Sequence, residues 1–277
     1  MTIFIFGAGP IGLNLKNYYV KSGFKVFVFS SAQPHANEFN CSPATFLRYG
    51  EVTKLKPPSS IDSCIVTTRI EKLEVSLRKK LVEDLKFLDS HNVRILNVSS
   101  VSIYGNSHTS VTENHDPNPV NDYGVEKLES EKILSKALSS ETFVNLRVAN
   151  LYGLQAFHDL TNIAIDKLRK QEVILLPTKQ CYRDFVSIYD LFDLLLAWSY
   201  AKVPLTGNVN FSTGKSVLLH EWIETIASIE RRPVKTQLAI EEFLLDSFIS
   251  NEKLSKVWNR TFSDPHSRLS QYLGQIS

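Results

Sequence analysis

The chain has 277 residues, 31 Lys and Arg against 29 Asp and Glu, a formal charge of +2 and 43% hydrophobic residues. This is the composition of an ordinary folded protein of about two domains, and it excludes a disordered or fibrous chain. The near-neutral balance lacks the basic stripe that nucleic acid or an anionic membrane surface requires, so neither is expected as a partner.

The first hundred residues alternate short apolar runs, at 3–6, 25–29, 61–67 and 93–98, with helical patterns. That alternation predicts an α/β fold, a parallel sheet with helices on both faces. Between the first two runs Ile11, Leu15, Tyr18 and Tyr19 recur at helical spacing, and Gly23 closes the segment. The turn before this helix reads Gly7-Ala8-Gly9-Pro10-Ile11-Gly12, a Gly-x-Gly-x-x-Gly set directly after a predicted strand. Its glycines let the backbone approach a pyrophosphate, which the unpaired N–H groups of the helix N-terminus would hold, and Pro10 suits the first helical position. Gly7, Gly9, Pro10, Ile11 and Gly12 are therefore expected cofactor contacts.

Ser30 and Ser31 stand where an Asp or Glu would bind the ribose 2′-hydroxyl of NAD. No carboxylate there repels a 2′-phosphate, and no arginine that would mark NADP stands there either. The expectation is NAD or NADP, with a lean to NADP. Gly50-Glu51-Val52 is either an ordinary turn or a place where Glu51 and Val52 lie beside the adenine. Thr67, ending the run at 61–67, completes the expected cofactor contacts.

The longest helical pattern, 69–91, carries one stripe of Leu73, Leu77, Leu81, Leu85 and Leu88. Val75 and Val82, read on its opposite side, are either scattered surface apolars or a second face buried against a partner subunit. A further helix is predicted over 122–139, and it places Tyr123 and Lys127 one turn apart on one face. A phenol of pKa about 10 is a poor base, and lowering it by three units takes about 4 kcal/mol. A neighbouring Lys⁺ and an oxidised nicotinamide ring would supply that stabilisation. Tyr123 would then exchange a proton with an alcohol or sugar oxygen during hydride transfer, and Ser100, at the end of a predicted strand, would hydrogen-bond the same oxygen. Glu113 and Asp116 are read as a solvated loop.

Beyond Leu151 the alternation weakens, with Pro177, Pro204 and Gly207 punctuating mixed segments. The tail has no low-complexity stretch and predicts an ordered smaller lobe. Cys41, Cys64 and Cys181 stand far apart, and none of the seven histidines has ligand spacing, so no disulfide framework and no metal is expected. The most apolar stretch, 191–198, is cut by Asp193 and is too short for a membrane span of about 20 residues. With no basic leader before the first strand, a cytoplasmic location is expected.

Four further segments follow in order: Ser99-Ser100-Val101-Ser102-Ile103-Tyr104-Gly105, Tyr123-Gly-Val-Glu-Lys127 with Glu131, Leu146-Arg147-Val-Ala-Asn150-Leu-Tyr152-Gly153, and Arg183-Asp184-Phe185-Val186 with Asp190. Together with the glycine turn they resemble the signatures of the extended short-chain dehydrogenase/reductase family, in particular its NAD-dependent epimerase/dehydratase branch, which modifies nucleotide-activated sugars. The resemblance implies a Rossmann-type doubly wound parallel sheet over 1–150 and a smaller C-terminal substrate lobe over 151–277, part of 183–212 returning to the first domain. It implies Ser100, Tyr123 and Lys127 as catalytic residues, Lys127 also holding the nicotinamide ribose. Ser100, Ser102, Asn150 and Arg183 would face a nucleotide-sugar substrate, Arg183 near its diphosphate. It also suggests a homodimer through the helices near 69–90 and 122–139.

Departures from the family pattern narrow the chemistry. Phe6 replaces a further glycine of the extended turn. Val101-Ser102 replaces the Asp-Glu pair of dehydratases, and Ser102 and Leu154-Gln155 replace the cysteine and histidine of 3,5-epimerising reductases. A keto-sugar reductase or a 4-epimerase is what remains. The alternatives are a silent dinucleotide-binding regulator and a reductase of a non-nucleotide ketone.

Overall fold

The computed structural model describes residues 1–31, 44–58, 62–154, 159–176, 180–238, 247–260, 262 and 264–276; Cys41, His35, His158, Gln155 and Pro177 lie outside the described residues. The chain forms two compact units. One comprises Met1–Ser100, Asp122–Arg147 and Leu194–Val209, the other Val101–Asn121, Val148–Asp193 and Asn210–Ser277.

In the first unit the order is β1 (Thr2–Phe6), α1 (Pro10–Lys21), β2 (Lys25–Ser30), β3 (Ala44–Arg48), β4 (Ser63–Val66), α2 (Val75–Ser90), β5 (Arg94–Ser100), α3 (Asp122–Ala137) and β6 (Phe143–Val148). The strands lie in the order β3-β2-β1-β4-β5-β6, with Gly207–Phe211 beyond β6. Pairs β1–β2, β2–β3, β1–β4 and β4–β5 are parallel. This is a Rossmann-type α/β sheet whose order reverses beside β1, and in such sheets ligands lie outside the carboxyl ends of the strands at that reversal.

Alternation along each strand sorts the core. Phe4, Phe6, Phe27 and Phe29 share one face and pack with Leu81, Leu85 and Leu88 of α2. Phe6 takes no space from the turn beside it, because its ring is fully buried and stacked at 4.5 Å on Phe29. Aromatic stacking there replaces the close packing that a glycine would give.

The predicted helix over 69–91 is interrupted. Ile70–Lys72 form a separate 3₁₀ turn and α2 starts only at Val75. The Arg78 guanidinium donates to the Glu71 and Leu73 carbonyls, at 2.9 and 3.3 Å, and so takes acceptors that a continuous helix would use. Val82 packs against the chain's own core, since it sits beside Leu81 and three residues before Leu85, inside the broad buried stripe. Only Val75, 80% exposed, faces solvent, among the exposed charges of Lys79, Lys80, Glu83 and Lys86. The second apolar face read from the two valines is therefore absent.

The second unit is slightly shorter than the first. It contains β7 (Asn150–Tyr152), α4 (Leu160–Arg169), β8 (Ile174–Leu176), β9 (Tyr182–Ser187), the first half of α5 (Ile188–Ser199), the end of β10 (Gly207–Phe211), β11 (Ser216–Leu218), α6 (Leu219–Glu230), β12 (Thr236–Leu238), the short α7 (Glu252–Ser255) and α8 (Pro265–Ile276). Strands β11, β9 and β7 form one small sheet, and β12 pairs with β8. Trp222 is the centre of its core, stacked at 4.2 Å on Phe185 and edge-on to Tyr152. Residues 101–121 cluster with this unit, because Val111 bridges Ile249 and the Glu113 carboxylate accepts the Asn210 N–H at 2.8 Å. Among the described residues no helix is long and apolar enough to cross a membrane.

Candidate active site

The glycine turn is built by steric necessity. Gly7 has φ +130°, and a Cβ there would meet Thr67 Oγ1 at 2.4 Å. A Cβ on Gly12 would stand 1.9 Å from the Gly7 carbonyl oxygen. Gly9 differs, since a Cβ there would meet nothing within 4 Å. Gly9 caps α1 with Pro10 in its first turn, so the space above the helix N-terminus is open where N–H groups are unpaired. These residues fit a diphosphate. Ile11 is half-buried on the same turn. Thr67 follows β4, its hydroxyl 3.4 Å from the Phe6 and Gly7 carbonyls, which ties it to the turn.

The segment Gly50-Glu51-Val52 serves its own turn. Val52 is buried in the core, which favours the ordinary turn of the two sequence alternatives. The Glu51 carboxylate accepts the Arg48 N–H and pairs with Lys54 at 2.7 Å, and these bonds hold it below the usual carboxylate range. Asp84 of α2 accepts the N–H groups of Gly50 and Val52, at 2.6 and 3.2 Å. Burial raises its carboxyl to about 6. Sequence reading missed this anchor, which comes from 34 residues downstream of Gly50.

Ser100, Tyr123 and Lys127 are brought together. Ser100 ends β5, and its side chain hydrogen-bonds the Tyr123 phenol from the first turn of α3. Lys127 is buried, donates from Nζ to the Val98 carbonyl at 3.1 Å and lies 5.9 Å from the Tyr123 ring centroid. Burial lowers its ammonium from the ordinary lysine value.

The sequence reading has the Tyr123 phenol lowered by Lys127 together with an oxidised nicotinamide ring. In the free protein burial raises the Tyr123 phenol above its ordinary value, and the Ser100 hydrogen bond and the Arg69 charge offset only part of that rise. Arg69 was not singled out by the sequence. Its guanidinium sits 5.7 Å over the Tyr123 ring and is held by Glu71 and Glu126. Glu71 in turn accepts from Ser130 of α3. No local spacing signals Arg69, because it reaches Tyr123 from the segment that follows β4.

Beneath this cluster lies a buried ion pair. Arg147 of β6 pairs with Glu131 of α3 at 2.8 Å, and Ser99 donates to the same carboxylate. Glu131 lies one turn beyond Lys127 on the same face, so the pair fixes α3 against β5 and β6.

Ser102, Asn150 and Arg183 belong to the second unit. Ser102 lies in the 3₁₀ turn Val101–Tyr104. The Asn150 amide donates to the Asp184 carbonyl at 2.9 Å across β7 and β9. Arg183 is buried and donates to the Tyr182 carbonyl at 3.0 Å. Asp184 serves another partner, since its carboxylate accepts the Thr213 N–H and hydroxyl, both at 2.9 Å. Burial raises this carboxyl to about 7. Among the described residues no group of three or more His, Cys, Asp or Glu is placed to hold a metal ion.

Residues 68–205 match the family model described as NAD dependent epimerase/dehydratase family. This segment is an NAD-dependent epimerase/dehydratase family domain. The match spans β5, α3 and the segment of Arg183, the parts that carry the signature residues. A comparison with curated proteins gives no significant match.

Among solved structures, the UDP-glucose 4-epimerase of Thermotoga maritima with UDP-glucose superposes with TM-score 0.80 at 17% identity, covering 100% of this chain and 99% of that one. WbmG of Bordetella bronchiseptica, in complex with NAD and UDP, gives TM-score 0.79 at 18% identity over 99% and 92%. The Thermus thermophilus UDP-glucose 4-epimerase with NAD gives 0.73 at 19% over 92% of both chains. At these identities the likeness establishes the fold. The dinucleotide named in these complexes is NAD, so they lend the expected lean to NADP no support.

Proposed function

We propose that this protein is a nicotinamide-dinucleotide-dependent oxidoreductase acting on one carbon of a nucleotide-activated sugar, as a keto-sugar reductase or a 4-epimerase. The observation that carries the reading is the Tyr123 phenol hydrogen-bonded to Ser100, with the buried Lys127 one turn away, on the same unit as an open glycine turn. Structural relatives holding UDP-glucose, or NAD with UDP, support the substrate class.

Gly7, Gly9 and Gly12 would hold the dinucleotide's diphosphate, and Lys127 its nicotinamide ribose. Bound there, the nicotinamide supplies the hydride donor or acceptor. Tyr123 Oη passes a proton to or from the sugar oxygen while Ser100 Oγ holds that oxygen by a hydrogen bond. The phenol, whose ordinary value of about 10 is raised further in the free protein, suits an acid that delivers a proton to a keto oxygen during reduction. In the opposite direction the phenol must act as a base, and the positive charge of an oxidised cofactor would lower it. Asn150 and Arg183 are assigned to the substrate's nucleotide, Arg183 for phosphate oxygens that a forked cation suits.

The family resemblance also suggests a homodimer. With Val82 in the core and charges around Val75, α2 presents no apolar patch for one, and the proposal concerns the protomer.

The test is Tyr123→Phe. Turnover of UDP-sugars, measured as net oxidation of reduced cofactor or as 4-epimer formation, should fall by about 10³-fold, with dinucleotide affinity and thermal midpoint unchanged. A variant that keeps full turnover would end the proposal. In the wild type, stoichiometric cofactor oxidation identifies a reductase, and interconversion without net oxidation identifies an epimerase.

A further inference from the structure

Two carboxylates reach the buried side of α3, and their partners differ. Glu131 is held by the Arg147 guanidinium and the Ser99 hydroxyl. Glu71 arrives from the 3₁₀ turn Ile70–Lys72 with its side chain only 2% exposed, and it accepts the Ser130 hydroxyl and the Arg69 Nε–H, the latter at 3.2 Å. Ser130 lies three residues beyond Lys127, on the same face of α3. A single buried carboxylate is thereby tied to the helical turn after Lys127 and to the guanidinium that covers the Tyr123 ring.

The charges around α3 can be matched one by one. Arg147 and Glu131 are both buried and neutralise each other. Arg69 is half-exposed and meets a second carboxylate, Glu126, which Lys72 shares. Arg78 of α2 faces the exposed Glu129 of α3. The Lys127 ammonium donates to a neutral acceptor, the Val98 carbonyl, and burial of a lysine without a counter-charge favours loss of its proton. Glu71 is the carboxylate left to oppose it. Of the charges acting on Lys127, Glu71 favours the ammonium more strongly than Glu131 does, and Arg69 disfavours it. The same carboxylate disfavours the Tyr123 phenolate.

We propose that Glu71 is the counter-ion of Lys127, a positioning residue that keeps the buried ammonium charged. What this means for turnover rests on the proposed roles of Tyr123 and Lys127, because a charged Lys127 is what favours the phenolate. The ionisation of Lys127 itself does not depend on that reading.

The test titrates Lys127 directly and needs no substrate. Full-length protein carrying carbon-13 at the lysine Cε positions is followed by NMR through the alkaline range, the Lys127 resonance being identified by its loss in Lys127→Met. Glu71→Gln keeps the shape of the side chain and can still accept the Ser130 hydroxyl, but it should lower the Lys127 midpoint by about one unit. The Tyr123 midpoint, read from tyrosinate absorbance against Tyr123→Phe, should fall too, by a smaller amount. Glu71→Asp, which keeps the charge, should recover most of both shifts. With Arg69→Met also in place the fall at Lys127 should persist, which separates Glu71 from a guanidinium released by its loss. Ser130→Ala unties the carboxylate from α3 and should give a smaller fall of the same sign. In turnover of UDP-sugars with reduced cofactor, Glu71→Gln should lose activity at a lower pH than the wild type on the alkaline side.

An unmoved or raised Lys127 midpoint in Glu71→Gln would overturn the proposal, and the same result in Ser130→Ala would do so if Glu71→Gln does not fold. A fall that vanishes with Arg69→Met in place would overturn it as well. Full turnover by Tyr123→Phe would remove the catalytic reading while leaving these titrations intact, so the two failures are separable.

Discussion

The glycine turn and the Tyr123 cluster are two halves of one proposed site, and they are made in opposite ways. The turn is defined by side chains that are missing: Gly7 and Gly12 have no room for a Cβ, and Gly9 leaves room for a ligand. The cluster is defined by side chains that converge from β4, β5 and α3, and its electrostatics depend on Arg69, Glu71 and Glu126 as much as on Lys127. A site written in steric exclusion is local and legible. A site written in charge depends on which distant residues the fold delivers.

The comparison can be broken most forcefully from beneath the cluster. Arg147→Met removes one partner of the buried pair and leaves Glu131 uncompensated, which should cost about 3–5 kcal/mol in denaturant unfolding. A loss below 1 kcal/mol would mean that α3 does not depend on this pair.

Two substitutions in the turn sharpen the steric half. Gly12→Ala forces a Cβ against a backbone oxygen and should destabilise the fold by about 3 kcal/mol. Gly9→Ala, at φ −78°, should leave stability within about 0.5 kcal/mol yet weaken dinucleotide binding, because the added methyl enters the open space above α1. Equal effects from the two would contradict the division of labour among the glycines.

The smallest expected effect concerns Arg69. Its positive charge favours the phenolate, so Arg69→Met should move the Tyr123 titration to higher pH, and Arg69→Lys should restore most of the shift. The difference absorbance of tyrosinate, read against Tyr123→Phe, reports this directly. At a half-exposed guanidinium the displacement should stay below about one unit, given solvent screening. A shift to lower pH would show that Arg69 does not favour the phenolate.

How far the sequence could be read follows from the same contrast. The strand and helix alternation, the turn and the Tyr123–Lys127 spacing were visible because each is fixed by neighbours within one helical turn or one strand. The helix over 69–91 was read as continuous because its break comes from Arg78 reaching back to two carbonyls. Val82 was read as outward because one heptad suggests a stripe, whereas its burial depends on how wide a stripe the core demands. Asp84 and Glu71 carried no signal at all.

By itself, then, the sequence determined the α/β fold, the glycine turn and the Tyr123–Lys127 spacing, since periodicity and the absence of a Cβ act over a few residues. Tertiary structure alone decided that Val52 is core, that burial raises the phenol and that Arg48 stands beside Ser30. Those facts rest on strand register and on desolvation by segments distant in sequence, and both exist only after those segments meet.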